Sequence, residues 1–223
     1  PYHQHADSSE SPRGRAKLRA EATEPREAVT FFRSVLAARR FTNETAAHYG
    51  LAVALLRNRQ LAEARAEAEK LRAGAVKNPM IDALSGRVLQ AAGDKPGSIV
   101  LIKDAMAKYP YYRPLVYGYV DVLLEDNRPA DAMTVLNEQL RLYPQNWRLL
   151  AMQAKAYSAL GKRLLQHKAL AEVHVLQGNL AADVEQLQMA QTAGDGNFYE
   201  MSAVEARLKE IRARHTAEAK QPK

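Results

Sequence analysis

Four residue pairs punctuate the middle of this chain at one constant interval. Arg59-Gln60, Gly93-Asp94, Asn127-Arg128 and Gly161-Lys162 each begin 34 residues after the last. Self-similarity at a fixed period of about 20 to 50 residues marks a repeat architecture, in which each unit buries its apolar face only against its neighbours. A helical pattern precedes each pair. In one case Val116, Tyr119, Val120 and Leu123 fall at the i, i+3, i+4, i+7 spacing that forms a single apolar stripe. A second helical pattern follows, as in the run from Ala132 to Pro144. Pro110 and Pro144 close two successive units, again 34 apart, as KYP and LYP. Proline lacks the backbone donor a continuing helix needs, so each stops a helix before the next begins.

The composition agrees with an all-α chain. Apolar residues make up 47% and aromatics only 7%, with Ala and Leu dominating over β-branched types. The absence of cysteine removes both a disulfide framework and a thiolate metal site. No apolar run reaches the roughly 18 to 20 residues that span a bilayer, so membrane insertion is not expected. The start, PYHQHADSSE, carries neither an initiator Met nor the apolar stretch of a signal peptide, and the chain reads as a piece of a longer protein.

A net charge of +7 raises nucleic acid as a partner. The excess sits at the ends: residues 1–40 hold eight Lys/Arg against five Asp/Glu, and residues 205–223 hold six against three. Residues 41–204 balance eighteen against seventeen. A phosphate-binding surface needs a clustered basic stripe, so no nucleic-acid partner is expected.

The 34-residue helix-turn-helix with small residues at its crossings resembles the tetratricopeptide repeat family. Ser85, Gly86, Gly93 and Pro110 hold the family's positions in the second unit. Tyr119, Val120, Asn127, Ala132, Leu136 and Pro144 hold them in the third, and Tyr157 and Gly161 in the fourth. Leu51, Ala52, Ala64 and Ala68 fit in the first, where Arg59 replaces the preferred turn glycine and Pro79 comes about three residues late. The resemblance spans roughly residues 44 to 195. It implies an all-α, right-handed α-solenoid of about 11 or 12 antiparallel helices with a concave face and a C-terminal capping helix.

Gly161 and Gly178 are only seventeen residues apart. If both end helices, Lys162 to Gln177 is one helix that closes one pair and opens the next, and helices then stack at half the period. The expected organisation is a flexible segment over 1–12, a helical pair over 13–42, repeats over 43–195, a capping helix over 196–215 and a basic tail over 216–223.

His167 and His174 lie seven apart on one helix face, whereas paired helical zinc ligands sit four apart with a Glu after the first. A packing role is expected for His174, and tail positions for His3 and His5. No nucleophile elbow or phosphate-cradling glycine loop occurs, and Ala193 to Asn197 reads as a helix-helix turn. Neither catalysis nor a cofactor or metal is expected within these 223 residues.

The segment from Ala169 to Arg212 is similar to the C-terminal repeats of periplasmic zinc metallopeptidases of the BepA type. The matching positions are Ala171, Glu172, Gly178, Asn179, Asp183, Phe198, Tyr199, Ala206, Arg207 and Leu208, and the stretch from Asp7 to Ala20 is similar to that family's join between protease and repeats. The resemblance implies a periplasmic parent with an HExxH zinc site, absent from this sequence, that acts in outer-membrane protein assembly or quality control. It implies repeats that dock on the β-barrel assembly machinery and on their own protease domain. The alternative is a free-standing repeat scaffold with a cytoplasmic protein or peptide partner.

Repeat stacks of this kind receive peptides or helices on the concave face, lined by the first helix of each pair. Counting from the turns places Tyr49, Val53 and Arg57 there from the first unit, Arg87 from the second, Tyr117, Asp121 and Leu124 from the third, and Arg148, Lys155 and Ser158 from the fourth. Tyr and Arg are the usual anchors of such surfaces.

Overall fold

The computed structural model describes residues 11–220. The twelve helices of that span run in the order α1 (Pro12–Ala22), α2 (Pro25–Ala37), α3 (Glu44–Arg57), α4 (Leu61–Ala73), α5 (Pro79–Ala91), α6 (Lys95–Lys108), α7 (Arg113–Glu125), α8 (Pro129–Leu142), α9 (Trp147–Ala159), α10 (Arg163–Leu176), α11 (Leu180–Gln191) and α12 (Phe198–Ala219). The described residues contain no strand, and the fold is all-α, of the tetratricopeptide-like solenoid class. His3, His5, residues 1–10 of the expected flexible start and 221–223 of the expected tail lie outside the described residues. Within them, α1 already begins at Pro12, and α12 continues to Ala219 instead of stopping at 215.

The recurring turns share one backbone geometry. Arg59, Gly93, Asn127 and Gly161 all adopt positive φ, at 61°, 87°, 55° and 70°. Each is followed by a residue whose amide reaches back to the last helical turn, as Asp94 N–H to the Leu89 carbonyl at 2.9 Å and Arg128 N–H to the Leu123 carbonyl at 2.8 Å. This is the left-handed helix stop that satisfies otherwise orphaned carbonyls. Glycine adopts it freely, whereas Arg59 adopts it at a steric cost that the surrounding hairpin imposes. Where connections are longer, an Asn supplies the next helix's first hydrogen bond. Asn43 Oδ1 accepts Ala46 N–H at 2.8 Å, and Asn78 Oδ1 accepts Met80 N–H at 2.8 Å. Pro79 therefore opens α5 as its first helical residue and does not close the preceding repeat.

The chain divides into two compact units at Val122/Leu123, within α7. In the first, α3 is the hub: α1, α2, α4 and α5 all pack on it, and α5 packs in turn on α4 and α6. Leu55, Met80, Leu84 and Ile102 are among its fully buried side chains. Of the small pair expected at the second repeat's crossing, Gly86 meets α6, while the buried Ser85 Oγ donates to the Ile81 carbonyl within α5. Ser98 Oγ on α6 donates to the Gly86 carbonyl at 2.7 Å, and a Cβ at Gly86 would overlap the Ile102 side chain.

In the second unit α8 packs on α9, α9 on α10, and α10 on both α11 and α12. Leu164, Leu180, Leu187, Val204, Leu208 and Ile211 form its core. The halved spacing is borne out: Lys162 to Gln177 holds a single helix, α10, which packs on α9 before it and on α11 after it. Gly178, at φ 74°, builds α10–α11 with the tight turn used elsewhere inside a hairpin.

Candidate peptide-docking face

Val53, Arg87, Asp121 and Lys155 stand one period apart on the first helices of successive hairpins, yet their surroundings differ. Val53 is 2% exposed and Tyr49, one turn earlier, 4% exposed. Both belong to the packed interior, because α1 lies against α3. Arg57, on the same face of α3, donates to the Thr23 carbonyl at 2.8 Å and to the Ala20 carbonyl, tying down the C-terminal end of α1. Gly14 and Ala20 are the buried residues of α1. The expectation that Tyr49, Val53 and Arg57 meet a partner is therefore corrected: these three hold α1.

One helix pair further on, the face is open. Arg87 is exposed on α5, and Gln90, three residues later on the same side of the helix, is partly exposed. Gln90 Nε2 donates to Asp121 Oδ2 on α7 at 2.9 Å. Asp121 is exposed, and Tyr117, four residues before it on that face of α7, is half-buried. The Gln90–Asp121 bond thus brings together the faces of α5 and α7 that carry Arg87 and Tyr117. The arrangement offers a guanidinium, an amide, a carboxylate and a phenol over a short distance, which can grip a peptide main chain and a side chain of either charge. Sequence reasoning missed Gln90; its position three residues after Arg87 was the available signal.

In the second unit Arg148 and Lys155 are exposed on α9, and Leu124, at the end of α7, is half-buried. The histidines singled out by sequence have ordinary roles. His167 Nδ1 pairs with Gln186 Oε1 at 2.8 Å, joining α10 to α11, and His174 is half-buried. No three or more His, Asp or Glu side chains among the described residues are placed so as to hold a metal ion. None of the described helices is long and apolar enough to cross a membrane.

Two further polar clusters were not foreseen. His48 Nδ1 pairs with Glu67 Oε2 at 2.7 Å, and Lys70 Nζ lies 3.4 Å from the other Glu67 oxygen, beside a cavity of about 330 Å³. The His48–Glu67 pair links α3 to α4. At the other end of the chain, Arg207 on α12 makes a two-pronged pair with Glu172 on α10, both bonds 2.9 Å. Beside it Asp183 is completely buried with neither carboxylate oxygen hydrogen-bonded. Burial pushes its pKa from 3.8 to about 6, assisted by Glu172 and opposed by Arg207 and Arg214.

These hairpins define a helical-repeat protein of the class that works by binding. Residues 89–162, from the end of α5 through the turn after α9, match the family model of the tetratricopeptide repeat. That segment carries three of the four left-handed turns, at Gly93, Asn127 and Gly161, and both polar residues of the α7 face. No curated protein matches the chain closely enough to count as a relative.

Proposed function

We propose that this chain is a protein-docking module that takes a peptide or short helix against Arg87, Gln90, Tyr117 and Asp121, and that it does so as the repeat region of a periplasmic zinc metallopeptidase concerned with outer-membrane protein assembly or quality control. The observation that carries the docking reading is the Gln90–Asp121 hydrogen bond, which aligns an open face on α5 and α7 while the equivalent face of α3 is covered by α1. Arg and Tyr anchors beside paired polar groups suit partners that present both charge and apolar surface.

The peptidase assignment rests on the C-terminal resemblance, and it gains support from how those residues act together. Glu172, Asp183 and Arg207, all positions of that resemblance, form one cluster joining α10, α11 and α12. In such a parent the zinc chemistry would belong to another part of the protein, and the share of this chain would be to hold substrate or tether the enzyme to the β-barrel assembly machinery. The reading frame upstream of Pro1 tests the assignment. An HExxH motif with a distal Glu and a signal peptide is the predicted finding. A start codon immediately before Pro1 would overturn the peptidase parent and leave a free-standing scaffold with cytoplasmic partners.

A further inference from the structure

A second recess lies where α1, α2 and the start of α3 meet, away from the α5–α7 face. It is a cleft of about 220 Å³ floored by Phe31, Phe32 and Val35 of α2 with Ala47 of α3. Arg15 of α1 and Arg40 of the α2–α3 connection stand at its edge, both exposed. Arg19 does not line the cleft but stacks 3.8 Å from the centroid of the Phe31 ring that does. None of the described residues lining the cleft is Asp or Glu. Asn43, the N-cap of α3, also lines it, so the positive end of the α3 dipole adds to the same sign of field.

Size and charge together select an occupant. Sites for cofactors and drug-sized ligands run to about 300–1,000 Å³. This cleft is smaller, and it suits a single large apolar side chain laid against the Phe31–Phe32 edge-to-face pair and Val35. The guanidinium rim then favours carboxylates on either side of that side chain. We propose that the α1–α2–α3 cleft is a docking site for an acidic linear peptide anchored by one large apolar residue, separate from the α5–α7 face.

The test titrates the full chain with a fluorescein-labelled peptide of six Glu residues around a central Leu, read by fluorescence anisotropy. One control replaces the Leu by Ser and another replaces every Glu by Lys. Saturable binding of the Leu peptide at physiological salt is expected, about tenfold weaker for the Ser control and lost for the Lys control. Arg40→Glu should weaken it about tenfold with melting unchanged, and Arg87→Glu should leave it intact. Should Arg40→Glu unfold the chain, Arg40→Gln should still weaken the peptide severalfold. Equal affinity for the Leu and Ser peptides would overturn the proposal, since only unspecific charge attraction would remain. Sensitivity to Arg87→Glu without sensitivity at Arg40 would overturn it too, by moving the peptide to the other face. Capture of the protein by phosphatidylglycerol vesicles through Arg40, with no peptide binding, would assign the cleft to a membrane and also contradict it.

Discussion

Asp195 closes the N-terminus of a helix that begins more than thirty residues before it: its Oδ1 accepts Leu164 N–H at 2.9 Å, and its Oδ2 accepts Arg163 N–H at 2.5 Å. The residue preceding α10, Lys162, supplies no side-chain cap of its own. The α11–α12 turn therefore provides what the local sequence lacks, and it couples one hairpin to the next through hydrogen bonds as well as apolar contact.

The Asp195 carboxyl is held below the ordinary carboxylate range, chiefly by the Leu164 amide. Its contribution is therefore present above the ordinary carboxylate pKa and lost as pH falls through the lowered one. Asp195→Ala should make the Arg163 and Leu164 amides exchange about tenfold faster, with little change in the first turn of α8. Unaltered exchange at those two amides would show that the cap contributes nothing.

Asp183 predicts the opposite pH response. Its carboxyl binds a proton more tightly when folded, so the associated stability is full below 3.8 and is lost as pH rises through about 6. Melting temperature should thus fall between pH 5 and 7.5. Asp183→Asn should flatten that dependence and stabilise the chain at pH 7.5 by on the order of 1 kcal/mol, a figure discounted for screening by the neighbouring guanidiniums and solvent. Thermal scans of both forms across that range check the claim; parallel curves would contradict it.

Two helical glycines should respond with opposite signs. Gly86→Leu forces a side chain into Ile102 and should cost about 3 kcal/mol. Gly118→Ala places its Cβ 3.6 Å from Ile102 Cδ1, an ordinary contact, and should stabilise by about 0.5–1 kcal/mol through better helix propensity. Urea denaturation of each variant measures both, and a tolerated Gly86→Leu would mean the α5–α6 crossing is looser than described.

The hairpins were legible in sequence because their signals are local. A left-handed stop every 34 residues and an apolar stripe on either side of it need no knowledge of distant residues. Even Arg59 and Asn127, poor substitutes for glycine, were found by register. Gly178 was legible in the same way: a left-handed stop seventeen residues after Gly161 ends α10, which packs on both α9 and α11. The α1–α2 pair was harder to align, because Thr23 and Glu24 carry no glycine, although they precede Arg59-Gln60 by about one period.

The candidate face was only half legible for a tertiary reason. Val53 and Arg87 occupy equivalent positions, but whether such a position meets solvent depends on what packs over it. It is the packing of α1 on α3, fastened by Arg57 to the Ala20 and Thr23 carbonyls, that goes with the burial of Tyr49 and Val53. Likewise Asp195 looked like one carboxylate in a turn, because the amides it accepts belong to another hairpin.

The most direct test of the docking account uses the double variant Arg87→Glu with Tyr117→Ala. Its binding to purified β-barrel assembly complex would be measured by surface plasmon resonance against the unaltered chain, with circular dichroism and melting recorded for both. The account predicts a loss of binding of about a hundredfold at unchanged melting, from the removal of two anchors on one face. Equal binding by a folded double variant would contradict it and place the docking surface elsewhere on the chain.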